Sequence, residues 1–208
     1  VIPSGIIGGR IYHIITSPDA YFGKDGKPLS AFKIWEGGLG IWGAVALGAT
    51  ATYLRLRSLG LQGKFPLFAD AIAPGLLLAQ AIGRWGNWFN IELYGKPSTL
   101  PWALKVPQNF RPSGFENFTT FHPTFLYESL WCALGGLLIL AIPRLSQGNP
   151  GALFLRYIIF YCIGRLAFES LRIDPAHTIA GLRVNIWVSL LGICVASYFL
   201  RKSRKSPR

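Results

Sequence analysis

Gly83-Arg84-Trp85-Gly86-Asn87-Trp88-Phe89-Asn90-Ile91-Glu92-Leu93-Tyr94-Gly95 closes a strongly apolar segment, Phe65 to Ile82, and turns polar abruptly. An arginine, two asparagines and a glutamate arrive within nine positions, interleaved with aromatics and glycines. A charge at the end of a membrane-length apolar run is costly unless it has a partner or a task. The stretch therefore marks the end of a membrane span and a candidate site together. The rest of the chain reads as a scaffold that brings other polar groups to it.

The totals fit a bilayer setting. Of 208 residues, 51% are hydrophobic and 14% charged, against about 25% charged in a soluble domain. The net charge of +12 invites a nucleic-acid reading. However, the basic residues are not gathered on one polar helix or RNA-binding motif, and five of the 21 lie in the last eight positions. A basic tail after an apolar helix marks the cytoplasmic side of a membrane protein. The expected partners are thus membrane lipids and not nucleic acid. Cys132, Cys162 and Cys194 lie inside apolar runs at spacings that suit neither zinc nor CxxC, and read as small packing residues. Methionine is absent, even at position 1, and the chain opens inside a half-length apolar segment without the marks of a signal peptide. This predicts a fragment whose first helix is missing.

The expected fold class is all-α: a polytopic bundle forming one domain over residues 1–208, with a basic cytoplasmic tail at 201–208. Six spans are visible. Ile2 to Ile15 is short of the roughly 20 residues a spanning helix needs. Gly37 to Leu54 is rich in glycine and alanine, which allow close helix packing. Phe65 to Trp85, Pro123 to Ile142, Gly151 to Phe168 and Val184 to Leu200 follow. Ser17 to Ala31, residues 96–120 and Asp174 to Gly181 read as polar loops. Arg55, Arg57 and Lys64 fall in a short loop, and Arg144 to Pro150 in another. With the tail inside, alternation puts loops 55–64 and 144–150 inside too. These segments hold nine Lys/Arg in 25 residues, against about eight in more than twice that length outside, which agrees with the positive-inside rule.

In this topology four polar clusters share the outer face: Glu36 to Trp42, Arg84 to Gly95, His122 to Glu128, and Arg165, Glu169 and Arg172. The i, i+4, i+7 spacing of the last three predicts one helix face, and the same reasoning puts Arg84 and Asn87 on one side. Arginine holds phosphate through a planar fork and stays charged when partly desolvated. Glu92 and Glu169 can hold the arginines or accept a proton. Asn87 and Asn90 can donate to ester or phosphate oxygens, while Gly83, Gly86 and Gly95 permit close backbone approach. The pattern points to a phospholipid headgroup site near the outer leaflet.

Plainer readings stand beside these. Arg165 and Glu169 also fit a structural ion pair. Trp85, Trp88, Tyr94 and Trp102 fit an interfacial belt. Arg10 and Arg156 fit snorkelling side chains, Arg156 the better. His13 and His177 lack metal spacing. His122 sits beside Tyr127 and Glu128, but its His-Pro pair also suits a helix start.

The string Gly83-Arg84-x-Gly86-Asn87-x-Phe89-Asn90-x-Glu92-x-x-Gly95 resembles the signature of bacterial prolipoprotein diacylglyceryl transferases. The resemblance extends to Gly8-Gly9-Arg10, Trp35-Glu36-Gly37-Gly38-Leu39, His122-Pro123-x-x-x-Leu126-Tyr127-Glu128 and Arg165-x-x-x-Glu169-x-x-Arg172, in family order. It implies a seven-helix enzyme of the bacterial inner membrane, its active site toward the outer face. Such an enzyme moves the diacylglyceryl group of phosphatidylglycerol to the lipobox cysteine of a prolipoprotein and releases glycerol phosphate. The implied catalytic residues are Arg84, Arg165, Glu92 and Glu169. The implied substrate-binding set is Arg84, Asn87, Asn90, Gly95, His122, Tyr127 and Arg172, with no metal or organic cofactor. One departure is Trp42, where the family often has a histidine proposed as base; an indole cannot take that proton. A non-catalytic phospholipid-binding protein, a transporter and an inactive relative are the competing readings.

Overall fold

A computed structural model of the chain describes residues 1–23 and 26–205, so Asp25 and the tail residue Arg208 lie outside the described residues. The chain divides into two compact units, Val1–Phe65 and Pro66–Arg208.

The first unit is built on two helices, α1 (Ile2–Thr16) and α3 (Ile41–Ser58), with a single turn, α2 (Asp19–Phe22), between them. The helices touch backbone to backbone. A methyl group on Gly8 would stand 2.2 Å from the Gly43 carbonyl oxygen, and the Gly40 amide donates to Gly9 O at 2.8 Å. Only residues without a side chain allow this approach, which is how the glycine-rich span uses its composition. The helix expected over Gly37 to Leu54 begins at Ile41 and runs to Ser58. Gly37 and Gly38 take φ of +85° and +73°, a left-handed conformation that cannot start an α-helix. Arg55 and Arg57 therefore belong to the helix and not to the loop after it.

Arg10 does not snorkel. It is buried and donates to the carbonyls of Ala31, Gly37, Gly38, Ser30 and Lys33, with its guanidinium 5.3 Å from the Tyr21 ring centre. One side chain thus gathers the carbonyls of the 28–38 connection, which has two short 3₁₀ turns and little sheet or helix of its own to satisfy them.

The second unit contains α4 (Phe65–Gly83), a short α5 (Trp85–Phe89), α6 (Thr124–Ala141), α7 (Pro143–Ser146), α8 (Ala152–Glu169) and α9 (Val184–Lys205). Leu77 and Ala81 of α4 and Cys132 of α6 form a buried cluster against which Tyr157, Phe160 and Tyr161 of α8 pack. Asp70 of α4 accepts the Gly151 and Phe154 amides at 2.7 and 2.8 Å, capping α8 from a neighbouring helix. Cys132 and Cys162 are buried as expected, whereas Cys194 is exposed.

The chain is mostly helical, as expected, and among the described residues two short β ribbons stand in its loops. Within 96–120 the loop folds back, and β1 (Leu104–Lys105) pairs antiparallel with β2 (Thr120–Phe121). Tyr94, Val106 and Phe121 are buried there, with Ile91, Phe115 and Ile173 around them. Tyr94 is thus a core residue and not part of an interfacial belt. The second ribbon joins β3 (Thr178–Ile179) to β4 (Leu182–Arg183). Its two-residue turn is Ala180-Gly181, both at positive φ, which matches the twist of a tight hairpin.

Among the described residues, three helical segments are long and apolar enough to cross a membrane: Gln62–Phe89, Thr124–Ala141 and Val184–Ser203. The other expected spans are helices as well. However, α1 has 15 residues and α8 carries Arg156, Arg165 and Glu169 within 18.

Candidate active site

Arg84 occupies the break between α4 and α5. Its backbone amide still reaches Gln80 O at 3.1 Å, but its side chain leaves the axis for α6. Nε lies 2.9 Å from Glu128 Oε2. Glu128 is one turn into α6 and 5% exposed. The same carboxylate receives Arg165 Nη1 from α8, at 3.2 Å to Oε2 and 3.4 Å to Oε1. Arg165 Nη2 then meets Glu169 Oε2 at 2.9 Å, one turn on.

Glu169 is the most enclosed charge, at 1% exposure. Its Oε1 accepts Arg183 Nε at 2.6 Å and Asn185 Nδ2 at 3.2 Å. Arg172 stands 3.9 Å from Oε2 and forks onto Asp174 at 2.7 and 2.8 Å. Arg183 Nη2 closes the chain on Asp174 Oδ2 at 2.9 Å. The ladder therefore alternates: Arg84, Glu128, Arg165, Glu169, then Arg172 and Arg183 joined by Asp174. Four guanidiniums face three carboxylates, leaving one net positive charge.

Such a ladder persists only when each charge has partners, since desolvation costs several kcal/mol per ion. At its Asp174 end, burial pushes the carboxyl pKa up, but the Arg172 hydrogen bond and the charges of Arg172 and Arg183 outweigh it and hold the group below the usual carboxylate range. Burial works against the Arg172 charge too, and Asp174, Glu169 and Glu128 together raise its pKa.

Arg165 and Glu128 line a narrow crevice of about 10 Å³ with Trp131, Cys132, Tyr161, Gly164 and Phe168. Trp131 stacks on Phe160 with ring centres 4.4 Å apart and donates to Phe160 O at 3.0 Å. The crevice thus sets aromatic side chains beside the Arg165 guanidinium.

The remaining sequence-predicted residues sit around this ladder in other roles. Arg172 lies beyond the end of α8, because the helix stops at Glu169, so it is not on the shared helix face that the i+7 spacing predicts. Asn87 does not join Arg84; its amide and that of Asn90 both donate to Glu92 Oε1 at 3.1 Å. Glu92 is exposed, and the carboxylate on Arg84 is Glu128 instead. Gly83 and Gly86 have open space where a side chain would be, so the close approach belongs to Gly95 alone. Gly95 bridges to Arg172, its amide donates to His122 O at 2.9 Å, and a Cβ there would meet Leu171 O at 3.0 Å. It ties the Arg84 stretch to the chain after α8. His122 Nδ1 lies 3.1 Å from the Tyr127 hydroxyl, which also accepts Trp102 Nε1 at 3.0 Å.

Sequence reasoning missed Arg183, Asp174, Asn185 and Tyr161, and quoted Glu128 without a role. Glu128 carried a usable signal, a carboxylate opening an apolar helix. Arg183 and Asn185 carried the same one, as polar residues flanking the last apolar run. Tyr161 carried none.

The model of the prolipoprotein diacylglyceryl transferase family matches residues 1–201. The chain belongs to that family. It is 54% identical over 191 residues to phosphatidylglycerol--prolipoprotein diacylglyceryl transferase 2 of Streptomyces coelicolor, covering 91% of this chain and 59% of the relative. Against the Frankia alni enzyme the identity is 52% over 196 residues, covering 94% and 51%. Against that of Paenarthrobacter aurescens it is 48% over 217 residues, covering 100% and 67%. The chain spans about half to two thirds of the length of these diacylglyceryl transferases.

Proposed function

We propose that the full-length protein transfers the diacylglyceryl group of phosphatidylglycerol to the lipobox cysteine of prolipoproteins, in a bacterial cytoplasmic membrane. The observation that carries this reading is the Arg84–Glu128–Arg165 bridge, in which one buried carboxylate holds two guanidiniums side by side. Both keep donors not committed to Glu128, and the ladder has a surplus positive charge for a phosphate diester to balance. Arg84 and Arg165 form the clamp, Glu169 holds Arg165, and Arg172 secures the far end. The family membership and the substrates in the relatives' names support the same assignment.

The thiolate attacks the glycerol carbon that bears the phosphate ester. A carbon–sulfur bond forms, the carbon–oxygen bond breaks, and its electron pair leaves on glycerol phosphate. The two arginines stabilise that growing charge, and the shared membrane brings the reactants together. Glu92, exposed and oriented by Asn87 and Asn90, takes the thiol proton in this reading. Trp42 has no such capacity. Asn90, Gly95, His122 and Tyr127 shape the approach to the headgroup.

The ladder belongs at the outer face of a bundle whose helices, α1, α3 and α8 included, all cross the membrane, with the C-terminus in the cytoplasm. The test is transfer of labelled diacylglyceryl from phosphatidylglycerol vesicles to a lipobox peptide by the purified full-length protein. Thioether product and free glycerol phosphate are both expected. Arg165→Ala should remove both, and Arg165→Lys should recover part. Lipid binding without glycerol phosphate release would instead identify a carrier. Glu92→Gln should slow transfer at neutral pH and recover as pH approaches the thiol pKa of about 8.5.

A further inference from the structure

Arg183 is the closest cation to the most buried carboxylate in the protein. Its Nε is 2.6 Å from Glu169 Oε1, nearer than Arg165 at 2.9 Å or Arg172 at 3.9 Å to Oε2. It reaches Glu169 from β4, an element separate from the helix that carries both Glu169 and Arg165. We propose that Arg183 is a positioning residue, holding Glu169 turned so that its second oxygen faces Arg165. The proposal rests on the transferase reading.

Three observations support it. Glu169 Oε1 is fully engaged by Arg183 and Asn185, while the buried Oε2 has no aligned hydrogen bond and is left to the Arg165 charge. The carboxylate plane is therefore set from the hairpin side, and it in turn sets the Arg165 fork. Second, Arg183 is itself fixed at three further points. Nη2 meets Asp174 Oδ2 at 2.9 Å, and Nη1 donates to Asp174 O at 2.9 Å and Arg172 O at 3.4 Å. A guanidinium held this way cannot swing to follow a moving carboxylate. Third, the charge count turns on it: with Arg183 removed, three guanidiniums face three carboxylates and the ladder has no surplus cation for an anionic lipid.

The charged groups facing Glu169 are Arg165 on α8, Arg172 after it and Arg183 on β4. Glu128 on α6 and Asp174 lie one contact further out, across those arginines. With Arg183 removed, Glu169 Oε1 keeps only the Asn185 amide, and the carboxylate is free to turn away from Arg165.

The experiment measures kcat and KM for phosphatidylglycerol in transfer by the full-length protein and by Arg183→Gln and Arg183→Lys. Arg183→Gln should raise KM and lower kcat on the order of 10- to 100-fold, as expected for a misplaced contact. Arg183→Lys, which keeps a cation beside Glu169, should recover part of both. An Arg183→Gln protein with unaltered kcat and KM, while Arg165→Ala is inactive, overturns the positioning role and leaves the transferase reading intact. Absence of transfer in the unaltered protein overturns the transferase reading itself. Should Arg183→Gln not fold, Asp174→Asn carries the test: it removes an anchor of Arg183 and keeps the guanidinium, so KM should rise, and an unmoved KM overturns the proposal.

Discussion

Glu128 holds two arginines from two different helices with one carboxylate, and its loss leaves both without their shared counterion. Breaking a buried pair in this way costs about 3–5 kcal/mol. Glu128→Ala should therefore lower the melting temperature in detergent as well as abolish transfer. Glu92→Gln should change stability by less than about 0.5 kcal/mol, as for other exposed substitutions, while slowing the reaction. A melt and a transfer assay on the same two preparations separate the two roles. Gly95→Ala should also destabilise, since a methyl group there meets His122 Cβ at 2.9 Å and Leu171 O at 3.0 Å. At this scale the Arg165–Glu169 contact was legible, because i and i+4 positions meet on any helix. The second arginine on Glu128 was not, because no local spacing links position 84 to 128.

Between elements, the clearest device is Asp70 on the start of α8. In a bilayer the first amides of a helix find no water, so a carboxylate from the neighbouring helix does what an ordinary N-cap residue does in solution. Asp70→Ala should cost about 1–2 kcal/mol, the range for a lost cap, and Asp70→Asn less. Thermal melts in one detergent provide the comparison. Helix α1 against α3 is a second case, where Gly8→Ala would drive a methyl group to 2.2 Å from Gly43 O. The helices themselves were legible from long apolar runs. Their ends were less so: α3 starts late because Gly37 and Gly38 are left-handed, and α8 stops at Glu169, short of Arg172. The β1–β2 ribbon escaped notice because two-residue strands carry no periodicity to detect.

For the protein as a whole, acid should first loosen the connection after α8. Asp174 is held below its ordinary range, so its contribution to stability is complete above the unfolded value of about 3.9 and is lost as pH falls through the lower native value. Melting temperature should thus fall below about pH 4, and Asp174→Asn should weaken that dependence. Hydrogen exchange on the β3–β4 hairpin reports the same event locally. The sequence by itself determined the membrane character and the family, and picked out Arg84 and Arg165, the arginines of the proposed clamp. Apolar runs and the cost of stranding a charge at their ends are properties of the chain read in one dimension. Only the tertiary structure decided which carboxylate serves which arginine: Glu128 and not Glu92 on Arg84, and Arg183 on Glu169. Those pairings join residues far apart in sequence, and the Asp70 cap on Gly151 spans 81 positions. They exist because a desolvated charge must find its counterion in whichever element folds beside it.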